Sequence, residues 1–185
     1  MKSISIFGVQ NMPEIFPGDH LAHLIIKALK GQEEKLLDGD IVIVTSKIVS
    51  KAEGCMVNKD EVIPSPFAVQ LAESINRDPR LIEIVLRESV RTVKVSDQVL
   101  ITETKHGFIC ANAGVDQSNV KEEGECLLLP KDPDHSALKI RSLLQSYYKV
   151  NLTVIISDTF GRPWRLGQTN IAIGVSGMLT QKNYS

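Results

Sequence analysis

The spacing of hydrophobic and polar positions changes several times along this chain, and each change predicts a new strand or helix. Continuous apolar runs at residues 41–44 and 154–156 are typical of buried strands. Apolar residues at helical spacing follow Asp19, and Gly31 comes after the last of them. We therefore expect a helix at residues 20–30, capped by Asp19 and stopped by Gly31.

Pairs of a capping residue and a proline mark the starts of further helices. Ser65-Pro66 and Asp78-Pro79 each place a side-chain acceptor just before proline at the first helical position. A further, amphipathic helix is expected at residues 133–148, opened by Pro133. Residues 90–95 and 99–104 alternate like two strands joined by a short turn, which favours antiparallel pairing. Helices in separate groups beside antiparallel strands predict an α+β fold with mixed and antiparallel sheets.

Charge and composition exclude several classes of protein without identifying one. The 185 residues carry a formal net charge of −1, which gives no electrostatic case for binding nucleic acid or a membrane. No apolar run approaches the length of a membrane span, and the amino terminus lacks the pattern of a signal peptide. Cys55, Cys110 and Cys126 are an odd number without metal-ligand spacing, so reduced thiols in a cytoplasmic protein are expected.

A carboxylate and a hydroxyl follow the second apolar run at once. Asp158 and Thr159 come where the run breaks into polar residues, which predicts that the strand ends there and presents both groups at a sheet edge. Mg²⁺ and Mn²⁺ prefer such oxygen ligands. Arg162 and Arg165 follow and are candidate contacts to phosphate or carboxylate. The alternative is a strand that ends in a turn with solvated arginines.

A second polar segment, residues 110–120, follows a strand-like stretch. It contains Gly114, which permits a positive φ, Asp116, which is a potential metal ligand, and Asn119, whose amide could contact a base or a phosphate. The alternative is a turn in which these side chains bond their own backbone. Two acidic segments together favour one divalent cation held jointly by Asp116 and Asp158.

The first apolar run ends in small polar and cationic residues. Ser46 and Lys47 follow it, and Lys51 shares a face with Lys47 if this segment is helical. Two like charges on one face require an anion, and a nucleotide phosphate would supply it, whereas a solvated basic edge is the alternative. A P-loop sequence is absent. Any nucleotide would therefore be held by strand-end loops and lysines.

Six blocks in a fixed order, covering nearly the whole chain, carry a resemblance to a known family. They are Met12-Pro-Glu-Ile15 with Gly18-Asp19, residues 38–54, residues 103–120, residues 127–134, residues 155–165, and residues 172–177. In these blocks the chain resembles the coenzyme F-420 gamma-glutamyl ligase family (coenzyme F-420-0:L-glutamate ligase).

The resemblance implies a GTP-dependent ligase. Members of this family join L-glutamate through an amide bond to the deazaflavin precursor coenzyme F-420-0, via an acyl phosphate, and release GDP and phosphate. The resemblance also implies two subdomains interleaved in sequence, a homodimer, and small molecules as the partners. Residues 1–185 then form one ligase-like region that lacks the family's C-terminal part.

The resemblance also implies roles for individual residues. The expected nucleotide contacts are Met12, Pro13, Glu14, Ile15, Ser46, Lys47, Lys51 and Asn119. Asp116 and Asp158 would hold one Mn²⁺ or Mg²⁺ ion, and Thr159 a second. No catalytic residue is assigned. Because the family's C-terminal part carries more of the nucleotide site, a non-catalytic homologue that binds GTP and metal is an alternative. A carboxylate–amine ligase with another acceptor is a further alternative.

Overall fold

The computed structural model describes residues 3–96, 99–117, 124–161 and 166–181, and these form an α+β fold. The helices are α1 (Leu21–Gly31), α2 (Ser46–Ala52), α3 (Pro66–Ile75), α4 (Pro79–Arg87) and α5 (Pro133–Tyr148). The strands are β1 (Ile41–Thr45), β2 (Met56–Asn58), β3 (Ser89–Ser96), β4 (Val99–Thr104), β5 (Ile109–Ala111), β6 (Glu125–Leu127), β7 (Thr153–Gly161) and β8 (Gln168–Ser176). The expected combination of mixed and antiparallel sheets is confirmed.

The chain divides into two compact units that are interleaved in sequence, as the resemblance implies. The first unit comprises Met1–Gly54, Asp132–Ser157 and Ala172–Ser185. The second comprises Cys55–Lys131 and Asp158–Ile171. The division falls within β7, between Ser157 and Asp158, and within β8, between Ile171 and Ala172.

The first unit contains β1, the part of β7 up to Ser157 and the part of β8 from Ala172, together with α1, α2 and α5; the sheet has the order β1-β7-β8. β1 and β7 are parallel, with register from Ile41 opposite Thr153 to Thr45 opposite Ser157. Although residues 41–44 are all apolar, only Val42 and Val44 are buried, and the other positions of β1 are exposed. One face of β1 therefore packs into the core. The strand leads directly to Ser46, the first residue of α2.

The second unit contains the antiparallel sheet β3-β4-β5, the antiparallel pair β2-β6, and helices α3 and α4. Both of these helices begin as the sequence predicts. Ser65 Oγ accepts the N–H of Ala68 at 3.2 Å, and Asp78 Oδ1 accepts the N–H of Arg80 at 2.9 Å. Val85 and Leu100 are fully buried in the core of this unit.

The predicted cap of the first helix is wrong. α1 begins at Leu21, and its capping position, His20, makes no side-chain cap hydrogen bond. Asp19 Oδ2 instead accepts the N–H of Phe16 at 2.8 Å, which closes the turn before the helix. The helix ends at Gly31, one residue beyond the predicted end, and its C-terminal capping position is Gln32.

The predicted end of the second apolar strand is also wrong. β7 continues through Asp158 and Thr159 to Gly161. The pairing with β1 stops at Ser157, but β8 is hydrogen-bonded to β7 and extends the ladder. The polar residues therefore lie within a strand rather than in a loop beyond it.

The lengths of the helices and the state of the cysteines test two further predictions from the sequence. Across the described ranges, the helices are too short or too polar to cross a bilayer. Cys55, Cys110 and Cys126 are all buried and form no disulfide, which agrees with the expectation of reduced thiols.

Candidate functional site

Asp158 lies beside the segment that leads to Asp116, and both residues belong to the second unit. The carboxylate of Asp158 acts electrostatically on the thiol of Cys110 in β5. The rings of Phe108 and Phe160 are in contact, with centroids 5.8 Å apart. One ring contact and one electrostatic interaction therefore relate the second half of β7 to residues 108–110, and the chain continues from there to Asp116.

The environment of Cys110 is buried and carries a nearby negative charge. Burial raises the pKa of the Cys110 thiol to about 11; the charge of Asp158 contributes in the same direction, and the N–H of Gly114, which donates to the sulfur, opposes it. A thiolate is disfavoured here because it would be poorly solvated and repelled by the carboxylate. Cys110 is therefore a protonated packing residue near Asp158, not a nucleophile.

The backbone of Asp116 is fixed on both sides while its side chain is half-buried. Its N–H donates to Leu127 O at 2.9 Å, and its carbonyl accepts the N–H of Leu127 at 2.8 Å. The residues just before it, Asn112, Ala113 and Gly114, have φ angles of 52°, 54° and 72°. The predicted glycine with positive φ is confirmed at Gly114, and the two residues before it also have positive φ.

Thr159 has a partner that the sequence does not reveal. Its hydroxyl donates to Asn170 Oδ1 at 2.7 Å, which links β7 to β8 within the second unit. Since the hydroxyl proton is directed at Asn170, the lone pairs of the oxygen face away from that contact. Asn170 could be identified only after the β7–β8 pairing was known.

The donor groups of this unit fit a hard divalent cation. Asp116 and Asp158 supply half-buried carboxylates, and Thr159 supplies an exposed hydroxyl. Among the residues that the structure describes, no group of three or more His, Cys, Asp or Glu side chains is gathered for a metal. An ion held by two carboxylates would complete its shell with hydroxyl, water or phosphate oxygens, as Mg²⁺ commonly does.

The first unit brings together several of the predicted nucleotide contacts. α2 begins at Ser46, whose side chain is buried, and it carries Lys47 and Lys51 one turn apart. Lys51 Nζ lies 2.8 Å from Glu14 Oε1. Ile15 is 5% exposed, so the segment that also contains Met12 and Pro13 is anchored in the core.

The pairing of Glu14 with Lys51 modifies the expectation that these lysines require an anion. A carboxylate of the same unit already supplies negative charge to Lys51. The ion pair is partly exposed, and such pairs are weak because water screens them. A phosphate group could therefore take the place of the carboxylate at small cost.

Three of the predicted contacts, Asn119, Arg162 and Arg165, lie outside the described residues. Their assignment to a nucleotide or an acidic substrate stays a prediction. The binding roles of the other predicted residues also stay predictions.

Comparison with known proteins gives a consistent result. The model of the F420-0:Gamma-glutamyl ligase family matches residues 10–185. A protein of Methanothermobacter thermautotrophicus named "Coenzyme F420:L-glutamate ligase" is 49% identical over 175 residues, which cover 95% of this chain and 69% of that protein.

Proteins with the same name from Methanopyrus kandleri and Methanocaldococcus jannaschii are 45% and 46% identical. These matches cover 89% and 77% of this chain, but 63% and 56% of the two relatives. The chain thus spans between 56% and 69% of the lengths of the three relatives. Over nearly all of its residues, this chain belongs to the F420-0:Gamma-glutamyl ligase family.

Proposed function

We propose that this protein joins L-glutamate through an amide bond to coenzyme F-420-0, with GTP as the energy source and GDP and phosphate as further products. The observation that carries this proposal is the family match over residues 10–185. The names of the relatives support the same reaction class. The position of Asp158 beside the segment of Asp116 supports a site for a divalent cation in the second unit.

The proposed reaction has two steps. A carboxylate oxygen of the acceptor attacks the γ-phosphorus of GTP, the bond to the bridging oxygen breaks, and GDP leaves. The amine of L-glutamate then attacks the acyl carbon, the bond from that carbon to the phosphate oxygen breaks, and the amine loses a proton. Phosphoryl transfer of this kind depends mainly on positioning and on neutralising the phosphate oxygens.

The chain supplies groups suited to both tasks. Lys47 and Lys51 would neutralise phosphate charge with their ammonium groups. Asp116 and Asp158 would hold a Mn²⁺ or Mg²⁺ ion, which when bound supplies Lewis-acid charge to the phosphate oxygens. Thr159 would direct a lone pair of its hydroxyl oxygen to a second ion while its proton stays hydrogen-bonded to Asn170 Oδ1. The buried side chain of Ile15 would hold residues 12–14 in place against the nucleotide.

A homodimer is part of the proposal. The first unit exposes several isoleucines, of which Ile6 is 91% exposed and Ile43 on β1 is 69% exposed. Apolar surface of this kind is commonly covered in an assembly. Sedimentation equilibrium would give twice the monomer mass if the proposal is right, and the monomer mass at all concentrations would contradict it.

A coupled assay of GDP release tests the activity. Purified protein is incubated with GTP, Mn²⁺, coenzyme F-420-0 and L-glutamate, and mass spectrometry follows the acceptor. GDP release that requires both substrates, with a product heavier by one glutamyl residue, supports the proposal. ATP in place of GTP and omission of L-glutamate are the controls.

Other results would favour the alternative functions. Calorimetric binding of GDP and Mn²⁺ without turnover would indicate a protein that binds nucleotide without catalysis. Turnover with a different carboxylate, but not with coenzyme F-420-0, would indicate a ligase for another acceptor. Absence of both binding and turnover would refute the proposal.

A further inference from the structure

Three consecutive residues before Asp116 have left-handed backbone conformation. They are Asn112, Ala113 and Gly114, with φ between 52° and 72°. This conformation is disfavoured for any residue with a Cβ atom, because that atom approaches the carbonyl oxygen, and glycine alone adopts it freely. A run that includes two residues other than glycine persists only where the surrounding structure imposes it.

The surroundings fix each of the three residues separately. Asn112 Oδ1 accepts the N–H of Leu100 at 3.3 Å. Ala113 is 2% exposed, and its methyl group belongs to the buried core that also contains Leu100. A Cβ atom on Gly114 would lie 2.9 Å from Leu129 Cγ, so a larger residue has no room there. The conformation is therefore imposed by packing and by a side-chain hydrogen bond.

Two of the other left-handed residues have an ordinary explanation. Asn76 and Lys149 have φ angles of 51° and 59°, and each lies at the end of a helix, where a single left-handed residue commonly stops the helix. The run at residues 112–114 follows a strand instead. Its strain is not accounted for by the end of a helix.

The turn determines where Asp116 is placed. The N–H of Val115 donates to Asn112 O at 2.9 Å, and Asp116 then forms both backbone hydrogen bonds with Leu127. With the backbone held on both sides, the two side-chain torsions of Asp116 determine where its carboxylate lies. The N–H of Gly114 also donates to the sulfur of Cys110, the thiol on which the Asp158 carboxylate acts. One turn is thus connected to both acidic residues.

We propose that Asn112 and Ala113 are positioning residues, whose left-handed turn holds the Asp116 carboxylate in the orientation that binds a divalent cation together with Asp158. Neither residue would touch the ion. This inference rests on the proposed function, because it takes Asp116 as a metal ligand.

The test is a titration of the protein with Mn²⁺ alone. Calorimetry and electron paramagnetic resonance of the unbound ion both measure the affinity. Ala113→Gly and Asn112→Gly allow the turn to relax, and each is expected to weaken Mn²⁺ binding roughly 10-fold or more, the usual scale for groups that orient a ligand. Asn112→Asp keeps the oxygen acceptor and tolerates the left-handed conformation. It is expected to bind Mn²⁺ at least as tightly as the wild type.

Lys149→Gly is the matched control. It relieves the same kind of backbone strain at the end of α5, which belongs to the first unit. Its Tm should rise by roughly 2–4 °C, and its Mn²⁺ affinity should not change. If Mn²⁺ affinity changes only in the variants at residues 112 and 113, the cause is the positioning of the ligand and not a general effect of glycine.

The outcomes distinguish this inference from the proposed function. A folded Ala113→Gly variant with wild-type Mn²⁺ affinity overturns the inference, and if that variant does not fold, Asn112→Gly decides in the same way. Wild-type affinity that depends on Asp158 but not on the turn overturns the positioning role alone. If the wild-type protein does not bind Mn²⁺, or if Asp158→Asn leaves its affinity unchanged, the proposed metal site and the inference are both overturned.

Discussion

Lys51 and Glu14 form an ion pair with side-chain exposures of 18% and 45%. A pair this accessible to water contributes little to folding, about 1 kcal/mol at most. Its more important effect is to hold the Lys51 ammonium group at a defined place near Ile15 and the start of the chain. We therefore expect the contribution of Lys51 to appear in ligand binding rather than in stability.

Replacement of Lys51 tests this expectation. Lys51→Ala should weaken GTP binding by roughly 1–3 kcal/mol, the usual size of a charge-assisted contact, with little change in Tm. Calorimetric titration gives the affinity. Lys27→Ala on α1 removes an exposed lysine of the same unit and should leave GTP affinity unchanged. Wild-type affinity in Lys51→Ala would remove this residue from the nucleotide site.

Cys110 offers a direct measure of where the Asp158 charge lies. Its thiol should titrate with a pKa of about 11 in the wild type. Asp158→Asn should lower the pKa, because a neutral amide no longer repels the thiolate, while burial keeps it above the ordinary value.

The Cβ chemical shift of cysteine, followed by NMR against pH, gives the titration. Cys126 is the internal control, since burial also raises the pKa of its thiol but Asp158 is not among the causes. An unchanged Cys110 pKa in Asp158→Asn would mean that the two side chains are farther apart than the structure has them.

At the scale of helices and strands, local signals could be predicted and distant pairings could not. The starts of α3 and α4 depend on atoms within three residues of Ser65 and Asp78, and a sequence displays such neighbours directly. The sequence does not predict the role of Asp19 correctly, because its carboxylate accepts the N–H of Phe16 rather than an N–H of the first helical turn.

The metal-binding candidates show the same limit. The sequence shows the polar residues after Ile156 but gives no signal for β8, so it predicts Asp158 beyond a strand, whereas Asp158 lies within β7. The hydrogen bond from Thr159 to Asn170 joins residues that are distant in sequence, and so does the ion pair of Glu14 with Lys51. Side-chain chemistry could therefore be predicted from the sequence, whereas the partners required tertiary structure.

The first turn of α5 and β8 are packed without room for one further carbon. A Cβ atom on Gly174 would overlap the carbonyl group of Pro133, and Val175 N–H donates to Asp134 Oδ1 at 2.7 Å. Gly174→Ala should reduce the free energy of unfolding by about 1–3 kcal/mol. Chemical denaturation measures this, with Gly161→Ala as the control because a Cβ atom there meets nothing within 4 Å. Equal stability of the two variants would contradict the packing.

The cap of α4 predicts a pH dependence. Hydrogen bonding from Arg80 lowers the pKa of Asp78 below its ordinary value. A carboxyl group with a lowered folded pKa stabilises the protein above its unfolded pKa, near 4, and this contribution is lost as the pH falls through the folded pKa.

Asp78→Ala should therefore lower the free energy of unfolding by about 1 kcal/mol at neutral pH, through loss of the cap. The difference from the wild type should shrink below about pH 4. Asp78→Asn keeps a capping oxygen and should retain most of the stability without this acid dependence. Urea denaturation at several pH values gives both results, and a difference that grows in acid would contradict the assignment.

For the whole molecule, binding of a metal ion should appear as added thermal stability. An ion at about 100 times its Kd adds about 2.7 kcal/mol to the free energy of unfolding, or roughly 5–10 °C in Tm for a chain of this length. Asp158→Asn should lose this gain but keep nearly the wild-type Tm without metal, since a neutral amide of similar size replaces the half-buried carboxylate. Differential scanning calorimetry with and without Mn²⁺ checks both. An unfolded Asp158→Asn variant would indicate a structural role instead.

The interleaving of the two units has a consequence for inheritance. The second unit is encoded by two stretches of the gene, separated by codons for residues 132–157. A recombination event that exchanged only the codons for residues 55–131 between related genes would transfer Asp116 without Asp158. Crossovers that preserve both acidic residues from one parent must span both stretches, so this region of the gene is expected to pass between genomes as a single block.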